Sequence, residues 1–402
     1  MPLAHKLKAV WEKNGPEIRA ILLRRTPPFL RNRPVPGLGP RVPVFVFHSV
    51  EPQRFESQLR YLAENGYSTL TADELERALR SPPPAGHKQI ALTFDDATGS
   101  FWAVAYPLLK KYGFKAILFV IAGLVPDDET VYPNLNDVWA GDAGIEDVCG
   151  REARQPLCTW RELVTMHRSG VVDVQSHSLT HAKVPVSDEA VDFVSPRFDP
   201  CFFGHVDLPL CAIDDPEAPA RLLRPGAPVY HSVPRLAGVP GRFADDGIAR
   251  NLIQYVERHG AERFFEKRGW RLRLNERLEM ARKESESPPA MESRAESAAW
   301  MRREFEMSRQ RLEDRIAGLC VRHFCYPWFR GCQAADALAA ECGYSAVHYG
   351  FELPHALDSD AAQPIRIRRY SEEYVGSLPG KGRQWPYTVW LSRLRALAAR
   401  AA

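Results

Sequence analysis

Short apolar runs separated by helix-length amphipathic stretches constrain this chain more than any other feature. Val42 to Phe47, Ile90 to Phe94, Ala116 to Val120 and Val171 to Val174 are each short and β-branched or aromatic enough to be buried strands. Between them, Phe55 to Glu64 reads as an amphipathic helix that Gly66 ends as a C-cap glycine. Thr71-Ala-Asp-Glu-Leu opens a second helix with a capping-box start. A third helix through Tyr106 to Lys111 stops near Gly113, and a fourth runs from Trp160 to His167. Strands alternating with helices predict a parallel sheet or barrel. The alternation breaks after His181. Residues from about 185 to 240 are rich in Pro, Gly, Asp and Cys, and from about 248 to 318 the chain is charged and helical, interrupted by Ser285-Glu-Ser-Pro-Pro-Ala. It resumes with a strand over His323 to Tyr326, a helix to Glu341 and a strand over Ser345 to Tyr349. The expected layout is an arm and linker over 1–40, a barrel over 41–375 with an insertion over about 185–318, and a tail over 376–402.

The 402 residues suit one α/β barrel with insertions, and 45% hydrophobic residues supply a sizeable core. The 53 basic and 50 acidic residues nearly cancel to a net charge of +3, which gives no case for nucleic acid as a partner. Eight scattered cysteines (Cys149, Cys158, Cys201, Cys211, Cys320, Cys325, Cys332 and Cys342) form no tight zinc-knuckle pattern. The N-terminal residues hold no apolar run suited to a secretory signal, and no segment approaches the roughly 20 apolar residues that cross a bilayer. The expectation is a cytoplasmic chain with mostly free thiols. Its basic, amphipathic tail, Gln384-Trp-Pro-Tyr-Thr-Val-Trp-Leu-Ser-Arg-Leu-Arg, is a candidate peripheral contact with the inner membrane face.

Two constellations carry chemistry. The strand Ile-Ala-Leu-Thr-Phe ends in Asp95-Asp96, adjacent carboxylates at the end of a strand where barrels place their active sites. Neighbouring residues on a turning chain face different partners, so one carboxylate can bind a metal while the other stays free. The plain alternative is a helix N-cap with an extra solvated acid. The second constellation, His177-Ser-Leu-Thr-His181, also follows a strand, and its i, i+4 spacing converges two imidazoles on one ion if the turn is helical. Two histidines and one carboxylate leave open coordination positions, the pattern of a catalytic metal.

Thr93-Phe-Asp-Asp, Ser176-His-Ser-Leu-Thr-His and Phe324-Cys-Tyr-Pro-Trp resemble, in order, the first three motifs of the polysaccharide deacetylases, the NodB-homology or carbohydrate esterase family 4 enzymes. The likeness covers roughly residues 42–183 and 300–370 and misses the insertion. It implies an α/β fold, a distorted (β/α) barrel, and hydrolysis of an N-acetyl group on a carbohydrate. Asp96, His177 and His181 would hold a divalent metal, zinc in most relatives, with Asp95 as general base toward the attacking water. The backbone N–H of Trp328 would stabilise the oxyanion, and Tyr326, Pro327 and Arg330 would line the substrate site. His48, after the first strand, is the candidate general acid, with His348 as the alternative. The chain departs from the family at Ala97, where glycine usually follows the aspartates, and at Cys325, where an arginine often pairs with the base. Arg330 is the candidate replacement for that arginine.

Other features are weaker. His205, His231 and His259 lack ligand spacing and read as structural or surface groups. Trp139, Trp160 and Trp328 are candidates for stacking on sugars or for the core. The expected substrate is an acetylated glycan or lipid-linked saccharide in cell-surface polysaccharide synthesis. The alternatives are an inactive barrel that binds a glycan or scaffolds a complex, and a metal amidase on a non-sugar amide.

Overall fold

The computed structural model describes residues 15–401 apart from 16, 21–22, 24–25, 36, 40, 85, 198–223, 286–287 and 354–363. Cys201, Cys211 and His205 lie outside the described residues. The strands are β1 (Val44–Phe47), β2 (Ser68–Thr69), β3 (Gln89–Phe94), β4 (Ala116–Val120), β5 (Val172–Ser176), β6 (Lys183–Phe193), β7 (Pro228–Pro234), β8 (Arg242–Phe243), β9 (Ala290–Met291), β10 (His323–Cys325), β11 (Ala346–Tyr349), β12 (Ile365–Arg368) and β13 (Tyr370–Ser371). One sheet runs in the order β12-β11-β10-β5-β4-β3-β1-β13, with β2 beside β3. Every pairing in it is parallel. Its two end strands, β12 and β13, are separated in the chain only by Arg369. A sheet whose opposite edges are joined by one residue must curl back on itself, so this is a nearly closed α/β barrel.

The period of two along each strand sorts side chains between the two faces. Phe45, Phe47, Leu92, Phe94, Leu118, Val120, Val174 and Phe324 join one apolar cluster with the helices. Their neighbours Val44, Ala91, Ile117, Phe119, Cys325, Ala346 and Ile367 join another. β1 and β10 lie apart in the sheet, so a cluster that holds both Val44 and Cys325 spans the barrel interior. The inward parity continues past the strand ends through Asp95, His177 and Arg369. Parallel register then brings these three to the same mouth of the barrel.

The wall helices follow the caps in the sequence. Helix α1 (Pro52–Glu64) buries Phe55, Leu59 and Leu62. Helix α2 (Ala72–Arg80) starts in the expected capping box of Thr71 and Glu74. Leu70, Ala72 and Leu75 close the far end of the barrel, joining the interior cluster. Helix α3 (Tyr106–Tyr112) stops where Gly113 turns left-handed at φ 70°, and α4 (Trp160–Arg168) leads to β5.

The expected insertion is narrower in the structure. The described residues between 183 and 292 leave the barrel as a β6–β7 antiparallel ribbon, helices α5 (Asp246–Arg258) and α6 (Trp270–Glu284), and the β8–β9 pair. Part of this excursion has its own core around Leu252, Val256, Phe264, Leu274 and Leu278. Helix α7 (Arg294–Arg315) instead buries Met301, Phe305 and Leu312 in the main core. Its inner stripe also carries Glu304 and Ser308, polar residues that break the apolar pattern. Helix α8 (Gln333–Glu341) sits between β10 and β11. The tail forms α9 (Pro386–Ala401). It begins docked on the barrel: Val389 is buried, and Arg393 pairs with Glu17 and Glu373. No described helix is long and apolar enough to cross a membrane.

Candidate active site

Four strand ends build the site. β3 delivers Asp95 and Asp96, β5 delivers His177 and the loop to His181, β10 delivers Cys325, and the β12–β13 junction delivers Arg369. The backbone turns sharply after β3, with Asp96 at φ 68° and Ala97 at φ 55°. Left-handed backbone at two non-glycine residues costs about 1–2 kcal/mol each. It separates the two carboxylates: Asp95 stays in the interior and Asp96 swings toward the histidines. Ala97 thus occupies a glycine-like conformation where the family usually has glycine. Its carbonyl accepts a hydrogen bond from the Cys158 amide at 2.8 Å, which helps to hold the turn.

The two imidazoles converge on one carboxylate oxygen. Asp96 Oδ1 lies 3.3 Å from His177 Nε2 and 3.5 Å from His181 Nε2. The segment between the histidines is a loop, which corrects the helical turn expected from the i, i+4 spacing. Ser178 at φ 71° and His181 at φ 58° turn the chain in place of helical geometry. His177 Nδ1 lies 2.9 Å from the Cys325 carbonyl, an acceptor only, so Nδ1 carries a proton and Nε2 is the ring atom that faces Asp96. Asp96 Oδ1 is buried and takes no hydrogen bond. An orphaned buried carboxylate oxygen is costly, and a cation shared with two imidazoles relieves it. Burial alone would lower His177, yet Cys325, Asp95 and Asp96 hold it well above the ordinary histidine value. Burial outweighs Asp96 at His181 and lowers it to about 4. The ligand atoms of Asp96, His177 and His181 all lie within 4.8 Å of one another, and this donor set fits a divalent metal.

Asp95 is held by a residue that the sequence reading missed. Arg369 grips it in a fork, Nη1 to Oδ1 at 2.6 Å and Nη2 to Oδ2 at 2.9 Å. Arg369 also donates to the Tyr349 carbonyl and to Thr93 Oγ1, and it is fully buried. Burial would raise the Asp95 carboxyl, but Arg369, with His177, keeps it below the ordinary value. Arg330, the expected charge partner, is exposed on the turn after β10 and does not fill that role. Cys325 occupies the place of the usual arginine, with Sγ 3.6 Å from Asp95 Oδ2.

The remaining candidates divide. His48 stands at the mouth, half-exposed, with Nε2 3.9 Å from Asp95 Oδ2. His348, the alternative acid, points inward from β11, where it is fully buried, 3.0 Å from His323 and packed on Phe119. Burial beside His323 and Arg369 holds it well below the ordinary histidine value, so it is a core histidine. Tyr326 follows the inward-facing Cys325 and therefore points out of the barrel, away from any substrate. Its hydroxyl donates to Asp336 at 2.8 Å beneath α8, and Tyr349 does the same at 2.6 Å. Pro327 is also buried. Of the expected substrate-lining group only Arg330 is exposed. Trp328 is exposed at φ 57°, its ring 5.0 Å from His181 and 3.8 Å from Lys183 Nζ. The amides beside it, of Phe329 and Arg330, already donate to the Tyr326 and Pro327 carbonyls. Trp160 is core, and Trp139 is exposed away from this cluster. All six described cysteines are free.

The family model described as polysaccharide deacetylase matches residues 83–193. YxkH of Bacillus subtilis, which carries a provisional polysaccharide deacetylase name, is 35% identical over 89 residues, 20% of this chain and 32% of its own. The poly-beta-1,6-N-acetyl-D-glucosamine N-deacetylase of Escherichia coli K12 is 27% identical over 132 residues, 33% of this chain and 18% of its own. This chain thus matches less than a third of either relative's length. A solved de-N-acetylase from Aggregatibacter actinomycetemcomitans overlaps 82% of this chain and 93% of its own, at 14% identity and a TM-score of 0.47. The matched segment runs from the strand bearing Asp95 and Asp96 through the loop bearing His177 and His181, so the part of the chain that carries most of the candidate site is similar to the polysaccharide deacetylases.

Proposed function

We propose that this chain removes N-acetyl groups from an acetylated glycan, with Asp96, His177 and His181 holding a divalent metal, zinc by its donor set. The observation that carries the reading is the buried, unpartnered Asp96 Oδ1 facing two imidazole Nε2 atoms. When bound, such a metal supplies a Lewis acid for the amide carbonyl and acidifies water toward a pKa of about 7. Asp95, kept ionised by Arg369, takes the proton of the attacking water. Its Oδ2 lies 4.0 Å from His177 Nε2, so the base borders the ligand cluster without belonging to it. His48, across from Asp95 and open to solvent, gives a proton to the departing amine. The Trp328 amide is the donor for the developing oxyanion. The exposed Trp328 ring offers an apolar face beside His181 for a sugar.

The substrate class proposed is the one named for the Escherichia coli relative, a polymer of β-1,6-linked N-acetylglucosamine. Acetate release from that polymer, measured beside release from a small non-sugar acetamide, tests the proposal. Acetate is expected from the glycan and not from the small amide. Turnover of the small amide alone would favour a general metal amidase, and turnover of neither would favour a glycan-binding barrel.

A further inference from the structure

The loop over residues 177–182 carries both histidines and two left-handed non-glycine residues, so its shape has to be imposed by its neighbours. Part of the restraint is local. Ser178 Oγ accepts from the His181 amide at 2.9 Å, and Thr180 Oγ1 accepts from the Ala182 amide at 3.2 Å. The segment after β4 adds two bonds, from the Ala122 and Gly123 amides to the Ser178 and Leu179 carbonyls. The rest comes from α7. Glu304 Oε2 accepts from the amides of Leu179 at 2.9 Å and Thr180 at 3.0 Å, and Oε1 accepts from Thr180 Oγ1 at 2.5 Å. One turn further along the same helix, Ser308 Oγ meets Ser176 Oγ at 2.7 Å, just before His177.

Glu304 is 2% exposed and is the charged group on a buried helix face that otherwise holds Met301, Phe305 and Leu312 with Ser297 and Ser308. A carboxylate there is expensive to desolvate, and a leucine or methionine would serve packing better. All three groups that meet it are donors, and an ionised carboxylate is an acceptor only, so the site is made for that side chain. The helix that presents it is anchored by Phe305 against Phe324 and Tyr344, which fixes the carboxylate relative to β10. We infer that Glu304 is a positioning residue for the metal: by tying down residues 179 and 180 it sets the approach of His177 and His181 to Asp96. The inference rests on the metal reading proposed above.

The test is zinc affinity, by competition with a chromophoric chelator, alongside the melting temperature of the metal-free chain. Glu304→Ala is expected to raise the zinc dissociation constant on the order of 10–100-fold. Glu304→Gln is expected to keep wild-type affinity, because its oxygen can accept from both amides while its NH2 donates to Thr180 Oγ1. Leu312→Ala, on the same helix but away from the loop, is expected to lower the melting temperature and leave affinity unchanged. Wild-type affinity in Glu304→Ala would overturn the inference, as would an equal loss in Leu312→Ala. Should Glu304→Ala fail to fold, Glu304→Asp withdraws the carboxylate by one methylene and is expected to weaken zinc binding; wild-type affinity there would also overturn it. A wild-type chain that takes no zinc defeats the metal reading alone. Amide hydrogen exchange at Leu179 and Thr180 of the metal-free chain then decides: faster exchange in Glu304→Asp supports the clamp, and unchanged exchange sinks it.

Discussion

Arg369→Met is expected to destabilise the folded chain by about 3–5 kcal/mol, because it leaves the Asp95 carboxylate buried without a counter-charge. Arg369 is 1% exposed and makes four hydrogen bonds, two of them to Asp95. The same reasoning makes Asp95→Asn destabilising, since the guanidinium then keeps only one good acceptor at that position. The two losses should not add. The pair shares one interaction, so the combined Asp95→Asn, Arg369→Met variant should be more stable than the sum of the single effects predicts. Denaturant unfolding of the four proteins measures this directly. Additive losses would mean that the fork between Asp95 and Arg369 is not what stabilises either group.

Asp95→Asn is also expected to lower kcat by about 10²–10⁴-fold, the range for losing a general base. Metal content should be unchanged, because the proposed ligands are Asp96, His177 and His181. Assaying well below the melting temperature separates this effect from the stability loss. An Asp95→Asn protein with its metal in place and turnover within tenfold of wild type would remove Asp95 from the mechanism. His48 would then be the remaining group at the mouth able to accept a proton, 3.9 Å from the vacated carboxylate position.

The barrel was legible because its signals are local. Runs such as Ile90 to Phe94 and Ala116 to Val120 are apolar on both faces, and the Thr71 box and Gly113 mark helix ends where they were read. The metal-ligand candidates were legible because each sits just after such a run. Arg369 was not, since Ile365 to Ser371 reads as an alternation of arginines and isoleucines with no clear apolar run. Its role appears only when β12 and β13 close the barrel and turn it inward. The left-handed turns at Asp96, Ser178, His181 and Trp328 were hidden for a different reason. Asp and His enter positive φ more readily than most residues, but no residue type here requires it, and tertiary bonds enforce it. Tyr326 was misplaced because a motif gives spacing without parity; once Cys325 faces inward, its neighbour must face out. Helix α7 was misread as part of the insertion because Glu304 and Ser308 interrupt its apolar stripe, and Glu304 is there for the loop.

The central claim is that Asp96, His177 and His181 form a metal centre on which deacetylation depends. The most direct test is to measure bound metal and acetate release from poly-β-1,6-N-acetylglucosamine in the same samples of wild type and His177→Ala. The account predicts one divalent metal per chain and acetate release for wild type, both lost in His177→Ala. Acetate release by a metal-free wild-type chain, or a His177→Ala protein that keeps both metal and turnover, would contradict it.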